Sequence, residues 1–185
     1  MSKLETNTID TVSGTTNLVI GSTNTSTITM PNGALSGQNY PAFEAYLSST
    51  QSVTNDVTTK IQIDTEVFDT DNCYDNSTNY RFTPTVAGKY FVYVYARLQS
   101  SADNLLRDTN LSVYKNGSLL SKNTWLLRNN YERAATPSMF NIVDINGSSD
   151  YVEFYGKITQ TSGTPDGFIG SGFRETIFGA YRIGS

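Results

Sequence analysis

Oxygen donors are concentrated in residues 64–75, which read Asp-Thr-Glu-Val-Phe-Asp-Thr-Asp-Asn-Cys-Tyr-Asp. Calcium prefers carboxylate oxygens, so Asp69, Asp71 and Asp75 are the candidate ligands for a metal ion. The segment differs from an EF-hand loop because Cys73 stands where a further oxygen donor is expected, and the glycine that follows in such loops is missing. The expectation is therefore a solvated acidic loop, with no metal or other cofactor.

Nucleophilic catalysis has few candidate residues in this chain. Histidine is absent, which excludes a His-assisted Ser or Cys nucleophile and His-ligated zinc or iron. The single cysteine, Cys73, lies among Asp and Asn without a cationic neighbour to lower its pKa, so we expect an inert thiol. Paired carboxylates that cleave a glycoside are the alternative, but no pair has an identifiable environment that would raise one pKa. We predict a protein that is not an enzyme and has no catalytic residues.

The overall charge gives little reason to expect a nucleic-acid or membrane partner. The net charge is −4, and no run of Lys or Arg is long enough to follow a phosphate backbone. No apolar run approaches the roughly 20 residues that span a bilayer. The N-terminal residues 1–10 have no apolar core typical of a secretory signal, so synthesis in the cytoplasm is expected.

The chain from residue 40 onward has the pattern of strands separated by turns. Its 12 Tyr and 9 Phe, with abundant Thr, Ser and Asn, favour pleated strands, and no segment has a convincing helical period. Asn116-Gly117 predicts a tight hairpin, and Asn146 to Ser149 predict a second hairpin with a longer loop. Eight to ten strands at this spacing predict an all-β, two-sheet antiparallel jelly-roll sandwich.

One predicted strand, residues 90–98, is apolar on both faces. Because alternate side chains of a strand point in opposite directions, Tyr90 and Val92 lie on one face, and Phe91, Tyr93 and Tyr95 lie on the other. A sandwich buries only one face of a strand, so the second face needs another partner. A second subunit is the expected partner, and a covering loop is the alternative. The predicted trimer-interface residues are Phe91, Tyr93, Tyr95, Tyr155 and Tyr181.

Residues 1–38 form a separate Thr-, Asn- and Ser-rich region, and residues 39–185 form the globular head. The first region has no large aromatic residue and cannot build its own core. A flexible tail is one interpretation; the other is an extended β arm that packs against sister chains or another protein. The apolar residues expected to anchor such an arm are Leu18, Val19, Ile20, Ile28 and Met30.

A family signature runs through the head as an apolar residue, an Asp or Asn, an aromatic residue, a Phe and then Gly-x-Tyr. These positions are occupied by Ile63, Asp69, Tyr74, Phe82, Gly88 and Tyr90, with Phe82 one residue later than the pattern. Val92 and Val94 replace the aromatic residues that follow. Residues 41–46, 150–154 and 178–183 resemble the opening, penultimate and closing strands of the same family. From Ala42 to its C-terminus, the chain therefore resembles the globular head of complement C1q, a jelly roll related to tumour necrosis factor.

This resemblance implies a homotrimer that recognises or scaffolds other molecules. The leader lacks a collagen stalk and resembles the repetitive β segments that precede the globular tips of phage fibres. We therefore expect a virion protein, either a fibre tip or a capsid or tail decoration, that is synthesised in the host cytoplasm. Its arm would bind other virion proteins, and its head would bind a host-surface glycan or protein. A free soluble recognition module with the same fold is the alternative.

Overall fold

The computed structural model describes residues 41–127 and 132–184. They form fourteen β-strands, of which eight have five residues or more. The strands are β1 (Ala42–Tyr46), β2 (Thr59–Lys60), β3 (Thr65–Asp69), β4 (Tyr74–Asp75), β5 (Arg81–Phe82), β6 (Gly88–Ala96), β7 (Leu98–Gln99), β8 (Leu106–Lys115), β9 (Ser118–Leu126), β10 (Ala134–Ala135), β11 (Ser138–Ile145), β12 (Val152–Gln160), β13 (Gly167–Phe168) and β14 (Thr176–Gly184). Within these ranges, no helix has the length and apolar character needed to cross a membrane.

Two antiparallel sheets make up most of the head. The five-stranded sheet has the order β11-β6-β14-β1-β3. The six-stranded sheet has the order β4-β5-β12-β8-β9, and β2 pairs with β12 in addition. A small third sheet joins β10, β7 and β13. The all-β jelly-roll sandwich expected from the sequence is confirmed.

The core lies between the two large sheets and is centred on aromatic rings. Phe43 of β1 stacks on Phe82 of β5 with ring centroids 4.8 Å apart, and Phe154 of β12 meets Phe178 of β14 edge to face at 4.6 Å. All four rings are at most 1% exposed. Each ring pair links one sheet to the other, so burial of these side chains stabilises the sandwich as a unit.

The first predicted hairpin is confirmed. β8 pairs with β9, and Lys115 lies opposite Ser118. Asn116 and Gly117, the two residues between them, have positive φ values of 52° and 75°, as a type I′ turn requires.

The second predicted hairpin is wrong, because β11 and β12 lie in different sheets. β11 pairs with β6, and β12 pairs with β8, so residues 146–151 cross from one sheet to the other. The Asn146 side-chain oxygen accepts hydrogen bonds from the backbone N–H groups of Ser148, Ser149 and Asp150, at 2.9 to 3.0 Å. An Asn-Gly sequence indicates a turn, but it does not indicate to which sheet the chain proceeds.

Two other strand predictions differ in extent from the structure. The predicted strand at 90–98 is divided at Arg97, where β6 ends and the chain continues as β7 in the small sheet. The period-two segment at 58–63 is a strand only at Thr59 and Lys60, although Ile61 and Ile63 are buried. Burial of these two side chains, without a continuous ladder, explains the alternation seen in the sequence.

Candidate interaction face

The outer face of the five-stranded sheet is aromatic, and β6 lies within it. Phe91 lies opposite Ile142 of β11 and Tyr181 of β14, while Tyr93 lies opposite Phe140 of β11. Directly opposite residues in antiparallel strands project from the same face of a sheet. We call the resulting surface the aromatic face, and its members are Phe91, Tyr93, Tyr95, Phe140, Ile142 and Tyr181.

The rings of the aromatic face contact one another and leave apolar surface exposed. The Phe91 ring centroid lies 5.3 Å from that of Tyr181 and 6.2 Å from that of Phe140. The other face of β6 is buried, with Tyr90 and Val92 0% exposed. The prediction of a strand that is apolar on both faces therefore agrees with the structure. Phe140 and Ile142 are 70% and 63% exposed, so no described loop covers that part of the face.

The Glu44 carboxylate of β1 also lies on this outer face, next to Tyr93. The Tyr93 hydroxyl donates a 2.8 Å hydrogen bond to Oε2 of Glu44 on β1, and Nη1 of Arg174 lies 3.5 Å from Oε1 of Glu44. Tyr93 reaches Glu44 across β14 at Gly179, where an added Cβ would come within 2.3 Å of the Tyr93 ring. Burial is the main cause of the raised pKa of Tyr93, and the hydrogen bond to Glu44 raises this pKa further. The Tyr93 hydroxyl therefore stays protonated as a donor.

The predicted interface residues do not all share one surface. Phe91, Tyr93, Tyr95 and Tyr181 lie together on the aromatic face, whereas Tyr155 lies on β12 in the six-stranded sheet. The Tyr155 ring packs on Tyr114 with centroids 4.3 Å apart. Participation of any of these residues in a trimer remains a prediction.

Phe140, Ile142 and Phe173 are exposed apolar residues on or beside this face that the sequence reasoning did not assign. Phe140 and Ile142 extend the face onto β11, and the alternation within residues 138–145 was the available signal. Phe173 is 91% exposed at the tip of the loop before β14. The next residue, Arg174, holds this loop against the sheet, because its carbonyl accepts a 2.8 Å hydrogen bond from the Tyr95 hydroxyl and its guanidinium lies 5.5 Å from the Tyr46 ring centroid.

The acidic segment uses its carboxylates within the protein. Asp69 Oδ2 accepts a 2.8 Å hydrogen bond from the Tyr74 backbone N–H, and Oδ1 accepts hydrogen bonds from the Asp71 N–H and the Cys73 thiol. Cys73 is buried, and its burial, followed by the hydrogen bond to Asp69, raises its thiol pKa. Within the described residues, no group of three potential ligands is arranged to hold a metal ion, and Asp69, Asp71 and Asp75 form no such group.

Asp75 organises the loop that follows it. Its carboxylate accepts hydrogen bonds from the backbone N–H groups of Ser77, Thr78 and Asn79, at 2.9 to 3.1 Å. These bonds hold the pKa of Asp75 well below its usual range, and the bond from Thr78 has the largest effect. A polar cleft of about 400 Å³ beside this loop is lined by Asp75, Glu66 and Arg81 among others. The pKa of Glu66 is raised, chiefly by burial and further by Asp69. The Asp75 carboxylate is already hydrogen-bonded to backbone N–H groups of its own loop, which argues against its acting as an acid–base pair with Glu66.

The predicted anchoring residues Leu18, Val19, Ile20, Ile28 and Met30 lie outside the described residues, as does the whole proposed arm at 1–38.

The described head thus defines an all-β, two-sheet jelly roll with an aromatic outer face on one sheet. No protein-family model matches the sequence, and no curated protein matches it. Among solved structures, the chain is similar to the globular domain of zebrafish complement 1qA protein, with a TM-score of 0.55 and 14% sequence identity. The match covers 78% of this chain and 98% of the zebrafish chain. At this identity the similarity establishes the fold alone, which is a C1q-like jelly roll.

Proposed function

We propose that this chain is a non-enzymatic structural and adhesive protein of a virion, with a homotrimeric head. The aromatic face is the observation that carries the proposal. It gives each chain a large apolar surface on the outside of a complete sandwich, and such surfaces typically mark interaction sites. The similarity in fold to a complement 1qA globular domain supports a role in recognition rather than catalysis.

Burial of the aromatic face against sister chains provides a driving force for assembly. Phe140, Ile142 and Tyr181 are 70%, 63% and 45% exposed in the single chain. Burying this remaining surface, at about 25 cal/mol per Å² of apolar area, favours association by several kcal/mol before the entropy cost of association. The contact between Glu44 and the Tyr93 hydroxyl gives the carboxylate at this face a hydrogen-bond partner when the surrounding rings lose water. C1q-like domains commonly form trimers, which favours a trimer over other assemblies.

The virion role rests on the sequence of the N-terminal region. Its Thr-, Asn- and Ser-rich composition, with short apolar runs at 18–20 and 28–30, resembles the β segments that precede fibre tips. The arm would add strands to a capsid or tail protein, and the head would face outward as a fibre tip or decoration that binds a host-surface receptor.

Truncation separates the two parts of this proposal. We expect residues 39–185, expressed alone, to form a soluble trimer that no longer joins the parent particle, because the head keeps both large sheets and loses only the arm. Light scattering measures the assembly, and the full chain serves as the control for incorporation into particles. Normal incorporation of the truncated chain would refute the anchoring role, and aggregation of the truncated head would show that the arm belongs to its core.

A further inference from the structure

The outer face of the six-stranded sheet carries two tyrosine rings in contact. Tyr114 of β8 lies opposite Glu153 of β12, and Tyr155 is two residues further along β12, so both rings project from the same face of the sheet. Their centroids are 4.3 Å apart and their planes are inclined at 45°. At this separation carbon atoms of the two rings are in van der Waals contact. We call Tyr114 and Tyr155 the tyrosine pair.

The tyrosine pair differs chemically from the other ring contacts that tyrosines make in the described parts of the head. Those contacts are with phenylalanine rings, and they are made by Tyr74, Tyr90, Tyr93 and Tyr181. A phenol loses an electron and a proton to a one-electron oxidant and becomes a phenoxyl radical, whereas a phenylalanine ring has no hydroxyl proton to lose. Two phenols in contact can therefore both become radicals and couple, and a tyrosine packed on phenylalanine cannot couple with its neighbour in this way.

A carboxylate is in place to accept the proton of one of the two phenols. The Tyr155 hydroxyl donates a 3.2 Å hydrogen bond to Oε2 of Glu153, and Lys60 Nζ donates a 2.5 Å bond to Oε1. Burial is the main cause of the raised pKa of Tyr155, which is about 12, and the proximity of the Glu153 carboxylate raises it further. The Tyr155 phenol is therefore protonated at neutral pH, and Glu153 can take its proton as the ring loses an electron.

The tyrosine pair is reachable by a small oxidant and lies between strands that are distant in the sequence. Tyr114 and Tyr155 are both half-buried, so part of each ring meets water. The chain between them contains β9, β10 and β11. A covalent bond between the two rings would close this segment into a loop and restrict the unfolded chain, as a disulfide does.

We propose that the tyrosine pair is a site of oxidative cross-linking, at which a one-electron oxidant joins Tyr114 to Tyr155 and so stabilises the head. The oxidant takes one electron from each phenol; the Tyr155 proton passes to Glu153 and the Tyr114 proton passes to water. The two phenoxyl radicals form one carbon–carbon bond between ring positions next to the hydroxyls, and the hydrogens of those two carbons move to the oxygens, which restores both phenols. Each chain thus loses two electrons and two protons in total. This inference goes beyond the proposed virion role and does not rest on it.

Photo-oxidation of the full chain with a ruthenium tris-bipyridine complex and persulfate tests the proposal. We expect dityrosine fluorescence and, after proteolysis, a linked pair of peptides that contain residues 114 and 155 and have lost two hydrogen atoms. Tyr155→Phe keeps a ring in the same place but lacks the hydroxyl, so it should abolish this link. The matched variant Tyr181→Phe removes a hydroxyl from a 45% exposed ring on the other large sheet and should leave the link unchanged.

Thermal melts of the treated and untreated chain measure the effect of the link on stability. The cross-linked chain should melt at a higher temperature, and Tyr155→Phe given the same treatment should not. Denaturing electrophoresis separates links within one chain from links between chains, so the result does not depend on whether the head forms a trimer. The proposal is overturned if no dityrosine forms within a chain, if the linked peptides lack residues 114 and 155, or if the cross-linked chain melts no higher than the untreated one.

Discussion

Several carboxylates in this head hold loops rather than ligands. Asp69 and Asp75 each accept more than one hydrogen bond from backbone N–H groups or the Cys73 thiol, and Glu44 accepts one from Tyr93. A carboxylate oxygen engaged with N–H donors must give up those bonds before it coordinates a cation. Local hydrogen bonding thus explains why an acidic segment with suitable ligand types contains no preformed metal site among the described residues.

Calcium should therefore have little effect on stability. We expect thermal melts of the full chain to agree within error in excess calcium and in excess chelator, because Asp69 and Asp75 are already satisfied by protein donors. An ion that binds only the folded state would raise the melting temperature. A large downward shift with chelator would contradict this expectation and establish a structural ion.

At the scale of elements, the connection between β11 and β12 determines which sheet each strand joins. Gly147 has a φ of 72° within this connection, and a Cβ at this position would come within 2.4 Å of the Ala87 backbone nitrogen. The connection between the two sheets therefore requires glycine at this position, because its backbone packs against the loop that precedes β6.

Gly147→Ala should destabilise the head by about 2 kcal/mol or more, because both the positive φ and the contact with the Ala87 backbone oppose a side chain. Gly172→Ala is the matched control, since a Cβ there meets no atom within 4 Å. Thermal or urea denaturation measures both variants. Equal stability of the two would show that the crossing tolerates a side chain.

The strands and turns that could be predicted from the sequence are those specified by residues close to one another in the chain. Alternation identified β6, and Asn116-Gly117 identified the hairpin between β8 and β9, because these signals act within a few residues. The sheet to which β12 belongs depends on contacts with distant strands, so the same kind of turn signal at Asn146 was misread. The position of Tyr155 on a different sheet from Phe91 depends on the same distant contacts.

The candidate site was predictable only along single strands. Phe91, Tyr93 and Tyr95 follow from alternation on β6, but the addition of Phe140 and Ile142 needs the register between β6 and β11. The contacts of Tyr155 with Tyr114 and Lys60 join three strands, β2, β8 and β12, and no spacing within the sequence brings Lys60 to Tyr155. Cross-strand register is a tertiary property that a single sequence does not reveal.

At the scale of the whole molecule, the two large sheets present different outer surfaces. The five-stranded sheet presents the apolar aromatic face, and the six-stranded sheet carries the paired rings of Tyr114 and Tyr155 among polar and charged side chains. The apolar surface of the five-stranded sheet is the one that we expect to associate with further copies of the chain.

Phe140→Glu should dissociate the trimer and leave the fold of each chain intact. Phe140 is 70% exposed in the single chain, so a carboxylate there costs little in the monomer but would be desolvated in the assembly. Val57→Glu, at a loop residue that is 47% exposed, provides the matched control. Light scattering measures the mass and circular dichroism measures the fold; a trimer that tolerates both variants equally would place the interface elsewhere.

The most direct test is the mass of the unmodified full chain in solution. Sedimentation equilibrium at micromolar concentrations should give three times the mass of one chain, because we propose that burial of the aromatic face holds three copies together. A monomer at these concentrations would contradict the proposal, because the aromatic face would then remain open to water without a sister chain to cover it.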